Sequence, residues 1–131
     1  MTRSSTANRA LRLAVAALVL AVVAACSSNP SANETSPPAD AVLIEVSAVE
    51  FAFSLSDTPT SAGAYTFELT NDGTMGHDLV IEGPGGLAGT EIVNPGETTE
   101  VTLELEPGEY TMYCSVGNHR AQGMEVTFTV A

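Results

Sequence analysis

Four side chains stand out as potential metal donors. In the stretch YCSVGNHRAQGM, Cys114, His119 and Met124 follow one another with four residues between neighbours. The only other histidine, His77, lies upstream in NDGTMGHDLVIEG. A thiolate, two imidazoles and a thioether form a trigonal set with a weak axial donor, which suits an ion cycling between Cu(I) and Cu(II). Structural zinc sites draw on Cys and His, so the methionine would be idle there. Singly, each residue has a plainer role: Cys114 as a small buried apolar side chain, the histidines as polar turn residues, Met124 as core packing. Their joint frame is what points to a single copper ion.

Such a set needs strand ends that meet at one place, and the chain supplies a β pattern. Val42, Ile44 and Val46 alternate with Leu43, Glu45 and Ser47, and Tyr65, Phe67 and Leu69 with Thr66, Glu68 and Thr70. The two-residue period returns in Val101, Leu103 and Leu105 and in Val126, Phe128 and Val130. Turn signals separate the runs at Asn71-Asp72-Gly73, Gly83-Pro84-Gly85-Gly86, Asn94-Pro95-Gly96 and Glu106-Pro107-Gly108. Helical periodicity is absent from residues 41–131. An all-β, two-sheet antiparallel sandwich or barrel of seven to eight strands is predicted, as one domain. Cys114 then ends one strand, Met124 starts the next, and His77 opens a third. All four donors collect at one pole.

The front of the chain reads differently. Arg3, Arg9 and Arg12 precede the uncharged run Leu13 to Ala25, and this charged start with a short apolar stretch predicts a secretory signal over residues 1–25. The run is too short to span a bilayer comfortably. Val23-Ala24-Ala25-Cys26 resembles the bacterial lipobox, which implies cleavage before Cys26, acylation of its sulfur and anchoring in a membrane. Ser27 to Asp40, with three prolines and no large apolar residue, predicts a disordered tether. The folded domain is expected over residues 41–131. Of the chain's two cysteines, a lipidated Cys26 leaves Cys114 without a disulfide partner, so its thiol is either buried and inert or committed to a metal or to chemistry.

From about Val42 to Val130 the chain resembles the cupredoxins. The resemblance rests on NDGTMGHDLVIEG around His77, on NPGETTEVTLELEPGEYTMYC, and on the loop CSVGNHRAQGM. It implies a Greek-key sandwich in which His77, Cys114 and His119 are equatorial ligands and Met124 is axial. It further implies an electron port at the edge of His119. Two departures are visible. Many relatives read Ser-Val-Pro-Gly-His where this chain has Ser115-Val116-Gly117-Asn118-His119, and Asp78 stands where relatives often carry an asparagine that bridges the ligand loops. A carboxylate beside the site would favour Cu(II) and lower the potential. Met112 is expected to pack in the core on the Cys114 side of its strand, and Met75 to pack in its loop.

Charge narrows the partners. Removal of the signal leaves Arg120 alone against 16 acidic residues, a formal charge of −15. That sign makes nucleic acid and anionic lipid poor partners and argues against self-association; its plain reading is a solubilising acidic surface, its functional one steering toward a basic partner. The expected function is single-electron transport, without enzymatic activity, at the outer face of a cell membrane. The expected partners are redox proteins of cytochrome or copper oxidase type, which Arg120 could help to orient. A copper-delivery protein with the same ligands, for which Met75 would be an added soft donor, is the alternative. A metal-free structural sandwich is the third reading. No Ser-His-Asp set or acid/base carboxylate pair is recognisable.

Overall fold

A computed structural model describes residues 38–131. The expected signal, the Cys26 lipidation site and all but the last three residues of the tether lie outside them.

Alternating β-branched, aromatic and threonine residues produce eight strands. They are β1 (Val42–Val49), β2 (Ala52–Leu55), β3 (Gly63–Asn71), β4 (Val80–Gly83), β5 (Gly86–Gly89), β6 (Thr98–Leu105), β7 (Gly108–Tyr113) and β8 (Glu125–Val130). One sheet has the order β2-β1-β3-β6 and the other β5-β4-β7-β8. A single 3-10 turn, Arg120–Gln122, is the only helical element among the described residues.

The predicted all-β sandwich is therefore observed, with one difference in pairing. β1 and β3 run parallel, Val42 opposite Tyr65 through Ala48 opposite Asn71, while the other pairs are antiparallel. The chain leaves β1, pairs β2 back along its outer edge, and crosses to its inner edge through residues 56–62. A parallel neighbour needs a connection of about a dozen residues or more, and the β2 excursion supplies that length.

The period-2 pattern decides which side chains meet between the sheets. Ile44, Val46 and Ala48 of β1, Phe67 and Leu69 of β3, and Met112 of β7 are buried. Val42, at the open end of β1, is instead half exposed, and Val101, Leu103 and Val126 are only partly buried against the core. The aromatic residues form a chain through the middle: Phe67 lies 6.5 Å from Phe128, which stacks on Tyr110 at 5.4 Å and 9°. The Tyr110 hydroxyl accepts from the Glu106 amide at 2.8 Å and donates to the Glu106 carbonyl at 3.1 Å. That clasp closes the turn between β6 and β7 and fixes the start of the strand that ends at Cys114.

Candidate metal centre

The pole of the sandwich is built from three connections. The β7–β8 loop begins at Cys114 and ends at Met124, just beyond the last paired residues Tyr113 and Glu125. Its ends are tied directly, the Cys114 amide donating to the Met124 carbonyl at 3.2 Å. Inside the loop the Met124 amide donates to the His119 carbonyl at 3.1 Å, and the His119 amide to the Val116 carbonyl at 3.0 Å. Gly117 turns this loop with φ 51°, a left-handed conformation that proline, locked near −65°, cannot adopt. The missing proline of the Ser-Val-Pro-Gly-His pattern thus corresponds to a different turn, and the loop is closed by its own hydrogen bonds.

His77 comes from the loop between β3 and β4. It precedes β4 by three residues rather than opening it, and an isolated bridge holds it: its amide donates to Val93 at 3.1 Å and its carbonyl accepts from Val93 at 2.8 Å. Buried Asn71 anchors the same loop, its side-chain amide donating to the Met75 and Val93 carbonyls at 2.8 and 2.9 Å.

These constraints bring the imidazoles to the thiol. Nδ1 of His77 lies 3.8 Å from Cys114 Sγ, and Nδ1 of His119 lies 3.5 Å from it. One donor atom from each of His77, Cys114 and His119 falls within 4.8 Å of the others, and all three residues are buried. Met124 is fully buried beside them in sequence and bonded through its backbone to both Cys114 and His119. Burial pushes the Cys114 thiol above its ordinary range, so ligation would release a proton. Two imidazole nitrogens converging on one sulfur, with a thioether on the same short loop, is a donor set that fits copper.

Asp78 takes a definite direction. It is buried, and its carboxylate accepts from the Ser115 amide at 2.6 Å and from the Ser115 hydroxyl. It therefore bridges the two ligand loops as acceptor only, one residue from His77 and one from Cys114.

Two sequence expectations change. His119 presents no edge to solvent: it is only 2 % exposed, and the ring of Phe51 packs edge-on against it at 5.1 Å. Met75 does not pack in its loop but is 45 % exposed at the pole. Arg120 is engaged within the chain, its guanidinium over the Tyr113 ring at 3.8 Å and its Nε paired with Glu125.

Glu50 and Phe51 were not visible as site residues in the sequence. They form the two-residue connection between β1 and β2, where Val49 faces Ala52. Oε1 of Glu50 accepts from the amides of Thr74 and Met75, each at 2.7 Å, and lies 3.4 Å from Nε2 of His77. Those two amides hold the Glu50 carboxyl down at about 2. The stretch VEFAFSL carries no glycine, asparagine or proline to announce a turn, so periodicity alone runs straight through it.

The cupredoxin-like domain family matches residues 14–127. Among solved structures, an auracyanin from Roseiflexus castenholzii is 24 % identical with a TM-score of 0.59, covering 70 % of this chain and 98 % of that one. Auracyanin A of Chloroflexus aurantiacus, described as a "blue" copper protein, is 21 % identical with a TM-score of 0.58, covering 69 % and 98 %. Rusticyanin from Thiobacillus ferrooxidans is 21 % identical with a TM-score of 0.54, covering 72 % and 79 %. At these identities the three share the fold with this chain.

Proposed function

The chain belongs to the cupredoxin-like domain family, and from that premise we propose that it holds one copper ion and carries single electrons, exported and tethered to the outer face of a cell membrane through Cys26. The observation that carries the reading is the convergence of both Nδ1 atoms on the Cys114 sulfur inside a buried pole. His77 and His119 would hold the ion through Nδ1, Cys114 through its thiolate, and Met124 through its weakly donating thioether. The bound ion supplies a one-electron Cu(I)/Cu(II) couple. The protein keeps the donors in place in both states: the β7–β8 loop is closed on itself, and the Val93 bridge and Asn71 hold His77 from the other side. Burial of the four side chains excludes water from the donors.

Electron exchange would take place through the pole. The outer surface there includes half-buried Phe51 over His119, with exposed Met75 and Ile92 on the His77 side. An apolar rim of this kind suits a short-lived encounter with a redox partner, and the acidic character of the chain favours a basic one. The carrier reading rests on the one set of donors, His77, Cys114 and His119, gathered at the pole.

The direct test is a visible absorption and EPR spectrum of the domain from Ser27 onward, loaded with Cu(II) and then treated with ascorbate. An intense thiolate-to-copper band with narrow copper hyperfine splitting, bleached by ascorbate and restored on reoxidation, is expected. Cys114→Ala should remove the colour while the domain stays folded. Colour that survives in that variant would refute the thiolate assignment. A colourless protein retaining Cu(I) would instead favour copper delivery, and no stoichiometric copper would favour a structural sandwich.

A further inference from the structure

His77 is wholly buried, and among the described side-chain atoms its Nε2 is the one buried polar atom without a hydrogen-bond partner. The nearest anionic group is the Glu50 carboxylate, 3.4 Å away and not aligned for a hydrogen bond. That carboxylate is held by the consecutive amides of Thr74 and Met75, inside the loop that delivers His77. A second feature of the same place points the same way. A methyl group on Gly73 would fall 2.7 Å from Glu50 Oε1 and 3.0 Å from His77 Nε2. The loop thus leaves room for the carboxylate and the imidazole to face each other, and only a residue without Cβ keeps that space open.

Ligand histidines generally donate their second ring N–H to a carboxylate, carbonyl or water, which fixes both the tautomer and the ring plane. We propose that Glu50 is the outer partner of His77: its carboxylate stabilises the Nε2–H tautomer, leaves Nδ1 bare toward Cys114, and adds a fixed negative charge that favours the oxidised ion. Glu50 is a positioning residue, acting on the ion only through His77. Because Phe51 covers His119, the two-residue β1–β2 turn sets the surroundings of both imidazoles through adjacent side chains. The charge argument rests on the copper reading above; the tautomer argument stands without it.

Three variants separate these effects. In Glu50→Gln the side-chain oxygen can still accept from the Thr74 and Met75 amides, but the charge is gone. In Glu50→Ala the partner is lost altogether. In Gly73→Ala the carboxylate is kept and pushed off the imidazole. Long-range 1H–15N spectra of the metal-free domain, taken where both imidazoles are neutral, should show His77 as the Nε2–H tautomer in the wild type and in Glu50→Gln. A mixture of tautomers is expected in Glu50→Ala and Gly73→Ala. In the copper-loaded proteins Glu50→Gln should shift the Cu(I)/Cu(II) ratio at a fixed poise about tenfold toward Cu(I), a rise of ~59 mV for one electron. An unchanged His77 tautomer in both Glu50→Ala and Gly73→Ala would overturn the positioning role, and an unchanged potential in Glu50→Gln would overturn the charge. Should Glu50→Ala fail to fold, Gly73→Ala still decides the first point. If the wild type bound no copper, the electron-carrier reading would fall, while the metal-free spectra would still decide the role of Glu50.

Discussion

Asp78 differs by one heavy atom from an asparagine, and it lies between the two loops whose side chains fit a copper ion. An asparagine at this position can donate to one loop and accept from the other, whereas Asp78 accepts twice, from the Ser115 amide and hydroxyl. The geometry of a loop bridge is retained and a negative charge is added beside the thiolate. At an effective dielectric of about 20, a unit charge contributes about 4 kcal/mol at ~4 Å and about 2 kcal/mol at ~8 Å to the balance of Cu(II) over Cu(I), part of which the Ser115 hydrogen bonds offset. Asp78→Asn should therefore raise the reduction potential of the copper-loaded domain by about 59 mV, one tenfold step, with little change in the visible band. Spectroelectrochemical titration of the two proteins checks this. An unchanged potential would mean that the two Ser115 hydrogen bonds neutralise the carboxylate as seen from the site.

The strands that carry the donors depend on contacts far from the pole. β7 is locked at its start by the Tyr110 clasp on Glu106 and by the stack of Tyr110 on Phe128. Gly83, the last residue of β4, lies under the same ring, and a methyl group there would fall inside the Tyr110 ring. Gly83→Ala must displace the ring from both its stack and its hydrogen bonds. Overpacking of this kind costs about 1–3 kcal/mol. A drop of that size in urea unfolding, with the copper spectrum of the folded fraction unchanged, is the expected result. A neutral substitution would show that the ring can swing aside without losing its partners.

At the scale of the whole molecule, charge is the dominant feature. All acidic residues but Glu34 lie within residues 38–131, where Arg120 is the only lysine or arginine and is already paired with Glu125. Attraction to a basic partner would be long-ranged and sensitive to salt, because the screening length falls from about 30 Å at 0.01 M to about 8 Å at 0.15 M. The rate of electron transfer to a lysine-rich cytochrome, measured by stopped flow, should fall at least about tenfold across that range. A flat profile would assign docking to the apolar rim of Phe51, Met75 and Ile92 alone.

The amino-acid sequence by itself determined the donor set, the β class and most of the turns. Each of these is written in short-range terms: Cys-x4-His-x4-Met within one loop, a two-residue alternation along each strand, and Pro-Gly or Asn-Asp-Gly between strands. The short spacing lets one loop carry three donors, and the fold required only that His77 arrive at the same pole. The tertiary structure alone decided the parallel pairing of β1 with β3, the direction of Asp78, the burial of His119 under Phe51 and the approach of Glu50 to His77. These depend on which segments, tens of residues apart, come to lie side by side. Glu50 meets Thr74 and His77 only because β1 pairs with β3 and ends where the ligand loop begins, and no local pattern in VEFAFSL encodes that meeting.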